Sequence, residues 1–417
     1  VFVYEIEQKF SDEKVVDIKQ TVWNELGQNK KLYALPPNSR VAITAGSRGI
    51  TNIVTILQEV INFLKQKQLS PFIVPSMGSH GGATAAGQVE VLKHLGITEE
   101  ALQVPILSSM EVVQLGIIHD QLPVYMDKHA YEADAILVIN RVKSHTAFRG
   151  KIESGLSKMV MIGLGKQKGA SFVHSQGAEN MEFNITEGTK YAVEHSPICM
   201  GLAIVENSYD ETAIIKGVSI ENWFVEEALL LEQSKKRMPS LPVKEIDVLI
   251  VEEMGKSFSG TGMDPNIIGR WRIDGVPEPK TPAIKRIAVL DLVAASHGNA
   301  QGVGLADFTT EKLFNKVDRQ ATYMNCITST FLRRAMFPFI YPTEQDAIEQ
   351  AFVSLGPDFN REKACLVQIA NTLHLNRLIV SETALEKIDE SIDYEVIQRF
   401  EFDYHQQELA YKLSTNT

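Results

Sequence analysis

The chain has 417 residues, 44% hydrophobic and 22% charged, a length that suits two domains and a composition that excludes a disordered chain. A formal net charge of −11, a pI near 5.5 and the lack of any Lys/Arg block exclude a nucleic-acid groove and leave small molecules as partners. No run of about 18 apolar residues is present and the first ten residues lack a basic start with an apolar core, which predicts no membrane span, no signal peptide and a cytoplasmic location.

In chain order, 40–45 (RVAITA) reads as a buried strand, followed by the loop GSRGI and an amphipathic helix over 50–66 with Ile53, Leu57, Ile61 and Leu64 on one face. PFIVPS is a second strand, MGSHGGAT a second glycine loop, and a helix follows near 84–95. This repeated order marks an α/β domain with a largely parallel sheet, in which ligands sit outside the carboxyl ends of the strands. A third buried strand over 133–142 runs into a stretch rich in Gly, Lys and His. A hairpin with NSYDE at its turn and a helix over 221–235 follow.

Two prolines in 236–243 (KRMPSLPV) place a domain boundary there. The predicted organisation is an N-terminal α/β cofactor-binding domain, 1–240, and a C-terminal α/β domain, 241–417, completing the substrate pocket, with the active site in the cleft between them. In the second domain the strands DVLIVEE, RIAVLDL and RLIVSE alternate with Gly-bearing loops and with helices over 309–318 and 343–354. The tail from 386 to 417 reads as partly helical and frayed at its end. Cys199, Cys326 and Cys365 lack CxxC spacing, which predicts buried packing residues rather than disulfides or a Cys-rich metal site.

Of the ten histidines, His94, His119, His129, His195, His374 and His405 read as surface or satisfied core residues. His80, His145, His174 and His297 stand in or beside loops of small residues, where backbone and ligand approach closely. Gly78-Ser79-His80-Gly81-Gly82 before a helix offers N–H groups to a phosphate, or is a plain glycine turn. Arg48 suits a carboxylate or phosphate by its planar fork, or is a solvated loop charge. Lys151, Lys158, Lys166 and Lys168 suit an anionic cofactor, although lysine with glycine also decorates ordinary loops.

The order and spacing of these residues resemble the nickel-pincer nucleotide-dependent lactate racemases. In that family a lysine in a Gly/Ser-rich segment carries a pyridinium mononucleotide with two thio groups, and a histidine at a fixed interval downstream binds the nickel. Here ESGLSK ends at Lys158, and at the same interval, sixteen residues on, stands His174. GSH with His80 resembles the family's Gly-Thr-His, and His145 resembles its second proton-exchanging histidine, although the gap from His145 to Lys158 is longer than the family's. Arg48 matches the arginine that contacts the substrate acid group. Asp264, Asn266 and Arg272 in GMDPNIIGRWR resemble a run that ends in a substrate-site lysine, with Arg272 replacing it.

The resemblance implies an isomerase, a 2-hydroxy acid racemase or epimerase acting by proton-coupled hydride transfer to a covalently bound nickel-pincer nucleotide, Ni(II) pyridinium-3-thioamide-5-thiocarboxylic acid mononucleotide. It assigns Lys158, Gly78 and Ser79 to the cofactor, His174 to the nickel, His80 and His145 to catalysis, and Arg48 and Arg272 to substrate. It also implies cofactor-making and nickel-inserting enzymes as partners. The departures fall on the substrate side: Ala45 stands for an aspartate, Ile268-Gly269 for a Tyr-Gln pair, and none of Trp23, Trp223 and Trp271 matches the pocket tryptophan. Without the resemblance, His80, His145 and His174 also suit a divalent-metal hydrolase with three protein ligands, and the glycine loops alone suit a non-catalytic nucleotide-binding protein. No GxGxxG follows a strand, which argues against a nicotinamide dehydrogenase.

Overall fold

The structure of the protein, a computed structural model, describes residues 1–414. The chain divides into two compact units, one of Asp12–Met238 and one built from Val1–Ser11 together with the chain from Pro239 onward. The first strand, β1 (Phe2–Gln8), thus leaves the N-terminal domain in which the sequence reading put it. It inserts antiparallel between two strands near the C-terminus, burying Val3 and Ile6 and pairing buried Glu5 with Arg377. Alternation identifies a strand, but which sheet it joins is decided by partners far away in sequence.

In the Asp12–Met238 unit the strands are β2 (Arg40–Ala45), β3 (Ser70–Pro75), β4 (Val112–Ile118), β5 (Leu122–Asp127), β6 (Ala135–Arg141), β7 (Ile198–Glu206) and β8 (Thr212–Ser219). The main sheet has the order β3-β2-β6-β7-β8, parallel except for the β7–β8 hairpin, and β4 and β5 form a separate hairpin. Both faces are covered, which is why these strands read as continuous apolar runs. Val41 and Ile43 face one core with Leu57, Val60 and Leu64 of the helix Ile53–Gln66. Ala42 faces the other, with Phe72, Val138 and Trp223. Leu57 and Leu64 are fully buried, so truncating either to alanine costs roughly 2–5 kcal/mol.

The second unit holds β9 (Glu245–Met254), β10 (Ala283–Leu292), β11 (Phe308–Thr310), β12 (Phe339–Tyr341), β13 (Leu366–Ile369), β14 (Arg377–Ser381) and β15 (Tyr394–Glu401). Its sheet order is β12-β11-β10-β9-β13-β14-β1-β15, parallel from β12 to β13. Both units are therefore α/β with mostly parallel sheets. Among the described residues of the tail, 386–414, none is helical: Tyr394–Glu401 is an edge strand and Tyr404–His405 pairs with Glu408–Leu409, and the last three residues, where fraying was expected, lie outside the described residues. The helix expected over 309–318 shortens to Glu311–Asn315, because 308–310 pair with β10 and Thr310 then caps the helix. The helix Arg319–Ser329 was not read from the sequence. All three cysteines are buried free thiols. Among the described residues no helix is long and apolar enough to cross a membrane.

Candidate active site

Strands β3, β2 and β6 are parallel neighbours, so the loops after Pro75, Ala45 and Arg141 leave the same edge of the sheet side by side. These loops carry His80, Arg48 and His145. Lys158 and His174 come from the segment that follows: a turn (Leu156–Lys158), a π-helix (Met159–Leu164) and the helix Lys166–Ser175. The segment is tied to the strand ends. Asn140 Nδ2 donates to Gly155 O at 2.8 Å, Lys143 N–H donates to Ser154 O at 2.8 Å, and Gly78 N–H donates to Gly163 O at 3.4 Å. π-Helices are rare and concentrate at functional sites, and this one lies between the lysine and the histidine.

Electrostatics link four of the predicted residues. Lys158 is half-buried and makes no hydrogen bond or ion pair among the described residues. Burial, then the like charges of Lys143 and Arg48, pull its pKa down to about 8. Solvent reaches Arg48, yet the protein packed around it and the charge of Arg141 lower its pKa too. Arg141 differs in being neutralised by Glu206. His174 has its pKa lowered to about 4 by burial, then by Lys158 and His80, and its Nδ1 is buried without a hydrogen-bond partner. It is a neutral imidazole with an uncommitted ring nitrogen. An amine-selective acylating reagent is therefore expected to modify Lys158 with a pH midpoint of about 8, below that of surface lysines, as read by peptide mass spectrometry over a pH series.

The two proposed proton carriers are held in opposite tautomers. His80 Nδ1 lies 2.8 Å from Met77 O, which only accepts, so in the neutral ring Nδ1 bears the hydrogen and Nε2 the lone pair. At His145 the Ala147 N–H donates to Nδ1 at 3.1 Å, so Nε2 bears the hydrogen. Buried Glu153 accepts the His145 N–H at 2.8 Å, and the ring packs on Phe148 with centroids 4.3 Å apart.

The remaining predicted residues are placed as follows. Gly78 has φ +62, and a Cβ there would meet Ala170 Cβ at 3.1 Å, so its loop lies directly on the helix that carries His174. Ser79 O accepts the Ala83 N–H at 3.1 Å and Thr84 Oγ1 caps Gly87 N–H at 3.1 Å, so part of the expected row of N–H donors is filled from within. Lys166 is withdrawn as a cofactor lysine, being fully buried against Asp127 at 3.2 Å; Lys151 and Lys168 are exposed. Arg272 belongs to the other unit, where Asp307 holds its guanidinium at 3.3 Å and also binds Arg270 at 2.7 Å. His297 is exposed there, with φ +47.

Sequence reasoning missed Lys143, Arg141 and Glu227. The Glu227 carboxylate accepts the Ser157 N–H at 3.0 Å and the Ser157 hydroxyl at 2.5 Å, anchoring the residue before Lys158, and burial pushes its pKa up to about 7. The signal was available: Glu227 shares the buried face of its helix with Trp223, Leu230, Leu231 and Ser234.

Among the described residues no three His, Cys, Asp or Glu side chains gather as a metal-ligand set, so His80, His145 and His174 do not form the three-ligand centre of a hydrolase. A single imidazole with an orphaned nitrogen, within electrostatic reach of a lysine that has no partner among the described residues, would fit a metal most of whose donors come from a bound organic group.

No family profile and no curated protein matches the sequence. The lactate racemase apoprotein from Thermoanaerobacterium thermosaccharolyticum superposes with a TM-score of 0.54 at 14% identity, over 89% of this chain and 99% of that one. The chain has a lactate racemase-like fold. At that identity the likeness is one of fold, and within the lactate racemase-like fold the argument for chemistry rests on this chain's own side chains.

Proposed function

We propose that the protein interconverts the enantiomers or epimers of a 2-hydroxy acid, lactate or a relative, with a nickel-pincer nucleotide attached to Lys158 and its nickel bound by His174. The observation that supports this most is the pairing of a Lys158 without a partner among the described residues, its amine pKa lowered to about 8, with an orphaned neutral imidazole at His174. Such a group, when bound, would supply the acceptor and donor for the hydride on the substrate's α-carbon.

The chain's own residues supply the rest. Arg48, without an acid partner among the described residues, binds the substrate carboxylate. Each enantiomer presents its hydroxyl differently, so inversion needs a proton carrier for each. His80 Nε2 is set to accept the hydroxyl proton and His145 Nε2–H to donate one, and the two roles exchange in the opposite direction. Glu227 holds the Lys158 turn in place.

The test is mass spectrometry of the Lys158 peptide with nickel analysis, on protein produced alongside cofactor-making enzymes. A mononucleotide adduct on Lys158 with one nickel per chain is the expected result; an unmodified Lys158 from such a host would sink the proposal.

A further inference from the structure

Beneath the candidate site lie three buried polar side chains that the proton-transfer scheme leaves unused: Gln88, Asp127 and Lys166, all 0% exposed. Lys166 Nζ donates to Gln88 Oε1 at 2.9 Å and to Pro75 O, the last carbonyl of β3, and lies 3.2 Å from Asp127 Oδ2. With its oxygen turned to the ammonium, the Gln88 amide can only present Nε2 on the other side. That nitrogen donates to Gly78 O at 2.9 Å and to His80 O at 3.3 Å, bridging both ends of the Gly78-Ser79-His80 loop.

The loop is confined on two further sides. A Cβ on Gly87 would lie 1.9 Å from Gly81 O, so the loop sits hard on the first turn of the helix Ala85–His94 that carries Gln88. Gly78 lies against Ala170, one helical turn before His174. Lys166 itself begins the His174 helix in a left-handed conformation, φ +52, which a lysine rarely adopts. Burial lowers the pKa of Lys166 and raises that of Asp127. Such a pair seldom adds net stability over apolar side chains of the same volume, so its retention calls for another reason.

We propose that Lys166 and Gln88 are positioning residues: the ammonium, held by Asp127, orients the Gln88 amide, which fixes the His80 loop against the helix that bears His174. The inference rests on the proposed function only in taking His80 as a proton carrier. It predicts that freeing the loop misplaces His80 without unfolding the domain.

The experiment compares wild type with Gln88→Leu, which removes both donors to the loop, and with Gln88→Glu, which keeps an acceptor for Lys166 but offers the loop no N–H. A third variant, Lys166→Met with Asp127→Leu, replaces the ion pair by apolar groups. Modification of each histidine by diethylpyrocarbonate is followed by peptide mass spectrometry on the full-length protein. His80 is expected to react several-fold faster in all three variants, while buried His145, the reporter of global loosening, keeps its wild-type rate. In cofactor-carrying protein kcat is expected to fall by about 10²-fold with KM nearly unchanged, the signature of misplaced reacting groups. An unchanged His80 rate, or parallel increases at His80 and His145, would overturn the positioning role. If wild-type cofactor-carrying protein shows no racemisation, the functional reading fails, and the His80 rates still decide this one.

Discussion

Alanine in place of His80 or His145 is expected to lower racemisation by roughly 10²–10⁴-fold while the Lys158 adduct and its nickel are retained. The magnitude is that of losing one positioned proton carrier, since neither ring is assigned to binding the cofactor or the substrate acid group. Two enantiomers have the same free energy in solution, so the equilibrium constant of racemisation is one. Deleting either histidine must then slow kcat/KM equally in both directions, although each ring is set as acceptor or donor for only one of them in the resting tautomers. Chiral chromatography of reactions started from each pure enantiomer reads this directly. Full activity in His145→Ala would remove that residue from the mechanism, and loss of nickel in His80→Ala would make His80 a metal ligand instead.

What the sequence could and could not say follows from how local each signal is. The strand at 40–45, the helix behind it and the β7–β8 hairpin were legible because their periodicity is written in consecutive residues. β1 was not read from the sequence, and its place in the second unit could not be, because its partners lie 370 or more residues away. The tail was misread because the four hydrophobic and four polar residues of the edge strand Tyr394–Glu401 do not alternate and most are exposed, so no period-2 pattern marks it.

At the site, the family resemblance singled out Lys158 and His174 as candidates, whereas the groups that act on them were invisible because their contacts are not local in sequence. Lys143 acts on Lys158 through space, and Glu227 reaches Ser157 from a helix seventy positions on. Lys166 is the instructive error. Its glycine-rich neighbourhood resembles that of Lys158, but one ammonium is paired with a buried carboxylate and the other with nothing among the described residues.

Lys158→Met is expected to abolish activity outright and to leave the protein more stable than wild type. Methionine cannot be acylated, so no cofactor is held and the rate falls to background, below what the histidine variants retain. The stability gain has a separate origin. Lys158 is desolvated beside Lys143 and Arg48 with no acid partner, so the folded state disfavours its charge, and its pKa falls from 10.5 to about 8. Because the folded pKa is the lower one, the unfolded chain binds more protons between the two values, and stability rises with pH across that window. Below pH 8 folding must bury a charged ammonium, and the wild-type handicap is largest there, on the order of 3 kcal/mol. It shrinks as pH climbs from about 8 to 10.5 and vanishes above that, where the amine is neutral in both states. Urea denaturation of both proteins at neutral and at alkaline pH measures the difference. A Lys158→Met protein that is less stable at neutral pH, or whose advantage does not narrow as pH rises, would mean that the lysine has a stabilising anionic partner, and the preformed acylation site would have to be abandoned.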